Sequence, residues 1–173
     1  MAQQYVSSKF ASDKPTVPEL SSFYDTNKNK IDMVRVSQIV LPVKEGSALV
    51  VSKIVQELKK SKTPTQLFPS YVTKYSLDKT SQLTQGDMGF FTFADKPEAL
   101  SKVAFDLTKV GDVAELELDG HHHVLMLMSS KKGFDANRAV IQSQYRMQRS
   151  TSKQTEFLSE LKKKAKVEVF TDK

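Results

Sequence analysis

The stretch Tyr75-Ser76-Leu77-Asp78, followed eight residues after the aspartate by Gly86-Asp87-Met88-Gly89-Phe90-Phe91, decides the reading of this chain. Two glycines bracketing an acidic and a large apolar residue describe a tight backbone passage, because glycine takes left-handed conformations that other residues resist. Such a passage fixes where Met88 and the phenylalanine pair emerge, which is the layout of a site. Upstream lies Val36-Ser37-Gln38-Ile39-Val40-Leu41 and downstream Gly120-His121-His122-His123-Val124-Leu125, each placing polar side chains inside an apolar run.

Outward from these motifs the elements follow. Met33 to Leu41 is rich in Val and Ile with Arg35, Ser37 and Gln38 interleaved, as in a strand covered on one face, and Pro42 ends it. Gly46-Ser47 opens a helix whose Ala48, Val51, Val55 and Leu58 form one apolar stripe. Thr63-Pro64 to Asp78 reads as one or two short helices, and 79 to 96 as loop and short strand. Pro97-Glu98 starts another helix, carrying Leu100, Val103, Ala104 and Leu107. Val113 to Leu118 and His122 to Met128 then form a hairpin joined at Asp119-Gly120.

The flanks are helical. Residues 2 to 12 suit a short helix, Thr16-Val17-Pro18-Glu19 has the form of a capping box for a second, and Asn27-Lys28-Asn29-Lys30 reads as the turn that ends it. Phe134 to Lys166 reads as a long helix capped by Asp135, and Val167 to Phe170 as a terminal strand. Both flanks are amphipathic without a core of their own, so packing against each other buries both apolar faces. The class is α+β: an N-terminal helical segment (1–32), a sheet-and-helix domain (33–130) and a C-terminal helix (131–173) that packs with the first.

Composition narrows the chemistry. A chain of 173 residues, 39% hydrophobic, is long enough to bury a real core, and with no cysteine it has neither disulfides nor thiol catalysis. No segment approaches the ~20 apolar residues of a membrane span, so membrane insertion is not expected. The net charge of +6 comes largely from lysine runs at 59–62 and 162–166, which suit helix ends and a solvated surface. No nucleic-acid partner is expected from them. The triplet His121-His122-His123 invites a metal reading, but adjacent strand residues point to opposite faces, so at most two share a side. No metal and no cofactor are expected.

Residues 34 to 128 resemble the parvulin-type (FKBP-like) peptidyl-prolyl isomerases, and within them the extracytoplasmic foldases of the SurA, PrsA and PpiC kind. Val34-Arg35-Val36-Ser37-Gln38-Ile39-Val40 stands where the family has Val-x-Ala-Ser-His-Ile-Leu. Tyr75 to Phe91 matches Tyr-Ser-x-Asp and, eight residues on, Gly-Asp-Leu-Gly-aromatic. Ala104-Phe105-Asp106-Leu107, Gly111-Asp112-Val113-Ala114 and Gly120-His121-His122-His123-Val124 take the places of the remaining motifs. Motifs matched in order are far more specific than any one alone, and they cover over half the chain.

The resemblance implies rotation of the peptide bond before proline in unfolded or extended polypeptide, or, alternatively, a catalytically degenerate domain that binds peptide as a chaperone module. By position, Met88, Phe91 and Leu100 become the proline socket. Asp78, Gln38 and His122 become the polar floor, with Gln38 standing where the family has its first histidine. The connection between Val113 and Gly120 is about two residues shorter than in the family, which leaves His123 as the other candidate for the final histidine. Lys96 falls where methionine is common. The resemblance also implies a periplasmic or cell-envelope location, with the signal absent from this chain. The long terminal helices carry enough apolar surface for a homodimer.

Overall fold

The computed structural model describes residues 14–164. The expected helix over 2–12 and the strand over 167–170 lie outside the described residues. Contacts divide the chain into a unit of residues 27–137 and a second unit of residues 1–26 with 138–173.

The larger unit is built on a four-stranded antiparallel sheet in the order β2-β1-β4-β3, with β1 Met33–Pro42, β2 Asp87–Thr92, β3 Val113–Leu118 and β4 His121–Lys131. Three longer helices accompany it: α2 Ser47–Lys60, α3 Pro64–Tyr75 and α5 Glu98–Asp106. A five-residue helix, α4 Lys79–Leu83, precedes β2, and a turn of 3₁₀ helix, Phe93–Asp95, follows it.

Strand alternation sorts the core. Ile39 and Leu41 of β1 with Val124 and Met126 of β4 face α2 and α3, where Val51, Ile54, Leu58, Phe68 and Val72 complete one buried cluster. Val34, Val36, Leu125 and Leu127 face the other way, onto Phe91 and onto Leu100 and Ala104 of α5. The two central strands are therefore covered on both faces, so β1 is buried more fully than the one-sided strand its interleaved polar residues suggest.

The hairpin forms as its sequence dictates, with Leu118 paired to His121 across Asp119 and Gly120, both at positive φ. At the other end of the sheet Asn137, 3% exposed, donates its side-chain amide to Asp32 and to the carbonyls of Lys131 and Gly133. That knot holds the loop after β4. The final helix, α6 Arg138–Lys164, accordingly starts three residues past the expected cap at Asp135.

Helix α1, Val17–Ile31, also departs from expectation, running through Asn27–Lys30 where a turn is predicted. Asparagine costs a helix only ~0.7 kcal/mol, whereas burying Ile31, 2% exposed, stabilises by about 2 kcal/mol. Packing wins, and the amide of Asp32 closes the last turn on the carbonyl of Lys28.

In the smaller unit the capping box is present: the Thr16 amide donates to Glu19 at 2.8 Å, and the Glu19 amide to the Thr16 hydroxyl at 3.4 Å. Glu19 also receives the Tyr145 hydroxyl at 3.0 Å and lies 3.5 Å from Arg149, and Phe23 meets Tyr145 edge to face. The two flanking segments thus form one helical unit. The hydrogen bonds from Thr16, then that from Tyr145, draw the Glu19 carboxyl from its ordinary value of 4.5 down to about 2. A carboxylate depressed in the folded state contributes stability above its unfolded value and loses it as pH falls through the folded one. Fraying of α1 should therefore begin below pH 4.5 and be complete near 2. A carbon-detected NMR titration of Glu19 checks this, and a midpoint at the ordinary value would sink it.

Candidate functional site

The passage from Tyr75 to Gly89 is fixed to β1 at two points. Leu77 donates its amide to the carbonyl of Val40, and the Val40 amide donates to the Ser76 hydroxyl. Nine residues on, the end of the passage is tied by the Gln38 amide, which donates to the carbonyl of Gly86 at 2.8 Å. Asp78 is thereby held beside Gln38. Its carboxylate caps α4, receiving the amides of Thr80 and Ser81 at 3.0 and 3.1 Å and the Ser81 hydroxyl at 2.5 Å. These bonds, that from the Ser81 hydroxyl foremost, hold the Asp78 carboxyl below the usual aspartate range, so it is ionised at neutral pH.

Gln38 continues the face of Val34 and Val36, because β1 and β4 keep an unbroken register from Val36 opposite Leu127 to Pro42 opposite His121. On that face His123, opposite Val40, is the diagonal neighbour of Gln38, with its Nδ1 at 3.4 Å from Gln38 Oε1. Gln38 Nε2 donates to the Ser81 hydroxyl at 3.3 Å. Four side chains from β4, β1, α4 and its cap are thus joined in one line: His123, Gln38, Ser81 and Asp78. Burial, followed by the nearby charge of His121, pushes the His123 imidazole below its ordinary value of 6.5, against the opposing carbonyl of Leu118. The ring is neutral at neutral pH.

His122 is not brought to this line. It pairs with Leu41 on the opposite face, where its Nε2 lies 3.1 Å from the Ser47 hydroxyl at the start of α2. That hydroxyl donates to the carbonyl of Lys44, so His122 donates to it. The strand register therefore brings His123, and not the expected His122, to the face of Gln38. The reason is parity: shifting one residue along a strand reverses the face. His121 sits at the turn, its Nδ1 at 2.9 Å from the carbonyl of Asp119. Among the described residues no group of three His, Asp or Glu is disposed to hold a metal ion.

Met88, Phe91 and Leu100 do come together, on the same face of the sheet as Gln38 and His123. Their exposures differ. Phe91 and Leu100 are 3% and 4% exposed and belong to the core, while Met88 is half-buried at its margin. Phe105 stacks edge to face on Phe91, and Lys96 Nζ lies 5.7 Å from the centre of the same ring. Two residues that sequence reasoning passed over complete the setting. Ser81 links Asp78 to Gln38, and Asp87 forms a bidentate pair with Arg35 that pins β2 to β1. Nothing in the residue type of Ser81 singles it out, because its role depends on α4 forming. Asp87 stands inside the glycine passage, where its spacing to Gly89, whose amide it accepts, gave the one available signal.

Residues 33–135 match the family model described as the PPIC-type PPIase domain, or rotamase. A curated relative, the foldase protein PrsA of Halalkalibacterium halodurans, is 23% identical over 158 residues. The match covers 91% of this chain and 44% of the relative, so the chain spans less than half the length of the protein it matches. A solved SurA-like chaperone of Campylobacter jejuni superposes with a TM-score of 0.52 at 21% identity, covering 98% of this chain and 69% of that one. A crystal structure of a PpiC-type peptidyl-prolyl cis-trans isomerase domain gives 0.50 at 24% identity, over 61% of this chain and 96% of that one. At such identities the likeness to solved structures is one of fold.

Proposed function

Because the chain belongs to the PpiC-type, or parvulin, family of peptidyl-prolyl isomerase domains, we propose that it binds proline-containing segments of unfolded polypeptide and catalyses rotation of the bond before proline. The barrier, ~18–20 kcal/mol, comes from amide resonance, and no bond is made or broken. A catalyst must hold the proline ring in an apolar seat and favour the twisted amide, whose nitrogen is pyramidal and whose carbonyl has lost conjugation, over the planar one. Met88, with Phe91 and Leu100 behind it, supplies the seat. Asp78, Gln38 and His123 supply the polar floor. The observation that carries this reading is the line of hydrogen bonds from His123 to Asp78, lying on the sheet face that continues into the Met88 cluster.

Several features support an extracytoplasmic foldase. The matched PrsA is named a foldase and the Campylobacter jejuni relative a SurA-like chaperone. No described helix is long and apolar enough to cross a membrane. The unit formed by the two flanks presents Met147, Leu158 and Leu161 of α6 at its surface, apolar positions on which a polypeptide can rest.

A second reading is favoured by two observations: glutamine stands at position 38, and Phe91 and Leu100 are almost wholly buried. In that reading the domain grips peptide with little turnover. An NMR exchange assay on an alanyl-prolyl peptide separates the two. In the first, the chain accelerates exchange and Asp78→Ala lowers the acceleration several-fold. In the second, exchange stays at the uncatalysed rate and Gln38→His raises it, since imidazole can titrate and move its proton between two ring nitrogens where an amide cannot. Uncatalysed exchange in all three proteins, with no peptide binding, would overturn both.

A further inference from the structure

Each proton in the line between His123 and Asp78 can be assigned from the groups themselves. Ionised Asp78 can only accept, so the hydroxyl of Ser81, 2.5 Å away, spends its single proton there. Toward Gln38 the Ser81 oxygen is then left with lone pairs, and Gln38 must present its Nε2 hydrogens, at 3.3 Å. The amide is thereby oriented, and its Oε1 faces His123. An acceptor at 3.4 Å from Nδ1 calls for the hydrogen on Nδ1, in competition with the Leu118 carbonyl that also draws on the ring, and with Nδ1 protonated the neutral ring leaves Nε2 bare.

From this chain of donors and acceptors we propose that Ser81 is a positioning residue, which sets the direction of the hydrogen bonds from Asp78 and so holds His123 as its Nδ1-protonated tautomer. Ser81 is 4% exposed and sits on α4 rather than on the β3–β4 connection, which here is a two-residue turn with no hydroxyl of its own. Gln38 cannot titrate, so it passes on a direction and no proton. The hydroxyl is what makes a glutamine serviceable beside Asp78. Without the hydroxyl, the Nε2 hydrogens of Gln38 lose the oxygen they donate to, so the amide would be free to flip and the ring to exchange tautomers. As a merely structural serine, Ser81 would only cap α4, but the cap does not need its hydroxyl: the amides of Thr80 and Ser81 already reach Asp78.

Only the kinetic part of the test rests on the isomerase reading. In the 173-residue chain, long-range proton–nitrogen NMR of the His123 ring should show Nδ1 protonated and Nε2 bare above the titration of the ring. Ser81→Ala should give a mixture of the two tautomers, and Ser81→Thr, which restores a hydroxyl, should restore the single form. In the isomerase assay Ser81→Ala should lower kcat about fivefold with KM unchanged, a modest share of the factor of ~10² that one oriented polar group can supply, and Ser81→Thr should recover it. A wild-type ring protonated on Nε2 overturns the proposal at once, without need of any variant. So does an unchanged tautomer in a folded Ser81→Ala. Should all variants and the parent lack isomerase activity, the reading of function fails while the ring spectra still decide the role of Ser81.

Discussion

Replacing Gly86 with alanine is expected to lower the unfolding free energy by about 2 to 5 kcal/mol, a large loss against the 5–15 kcal/mol typical of a domain. Two costs add. Gly86 has φ +85, and a side chain in that left-handed region costs roughly 1–2 kcal/mol. The added methyl would also lie 2.6 Å from the carbonyl oxygen of Gln38 and 2.8 Å from Val72 Cγ2, the one backbone and the other a packed core group. Neither can move without opening the sheet or the α3 cluster, so overpacking adds roughly 1–3 kcal/mol. Gly89 provides the control. It also has positive φ, +70, but nothing lies within 4 Å of its would-be methyl, so Gly89→Ala should cost only about 1 kcal/mol. Urea denaturation of the three proteins measures both differences, and equal midpoints for the two variants would contradict the close-approach argument. The same clash shifts the carbonyl that accepts from Gln38, so peptide binding should weaken in Gly86→Ala even where the protein remains folded.

This glycine also shows what the sequence could and could not convey. That a tight passage lies at residues 86–89 was legible, because a left-handed residue beside a β-like run leaves few alternatives. That Gly86 lies against β1 was not, since no local pattern encodes which strand a loop will lie against. The hairpin at Asp119-Gly120 and the capping box at Thr16 were legible for the same reason: a few adjacent residues complete the interaction among themselves. The continuation of α1 to Ile31 and the late start of α6 were decided by burial of Ile31 and by the amide of Asn137, both tertiary events. Short α4 was missed because five residues show no period, and with it went Ser81. That Met88, Phe91 and Leu100 gather on one face was legible by resemblance, but their burial was not, because exposure depends on how closely α5 settles on the sheet. The histidine was the subtlest case. Sequence named three neighbours, and only the pairing of β1 with β4 could say which one faces Gln38.

That parity yields the largest expected effect on activity. His123→Ala should lower kcat/KM roughly a hundredfold, as expected for loss of one oriented polar group that acts on the twisted amide. His122→Ala, one residue away, should leave kcat/KM within about twofold, because its ring reaches Ser47 on the opposite face. Its cost should appear instead in stability, at about 1 kcal/mol for the lost hydrogen bond at the head of α2. Stability and activity thus move oppositely in the two variants, which separates a floor residue from a structural one. The pH dependence gives a second, independent sign. Burial disfavours the charged imidazole, so the working neutral ring persists to lower pH than in a free histidine. The acid limb of kcat/KM should therefore have its midpoint below 6.5. That limb should vanish in His123→Ala and survive in His122→Ala. An acid limb unaltered in His123→Ala would remove this histidine from the floor, and loss of the limb with His122→Ala would restore the other assignment. Parity makes the two outcomes exclusive, because one strand cannot turn adjacent side chains to the same face without a bulge, and β4 has none between His121 and Leu127.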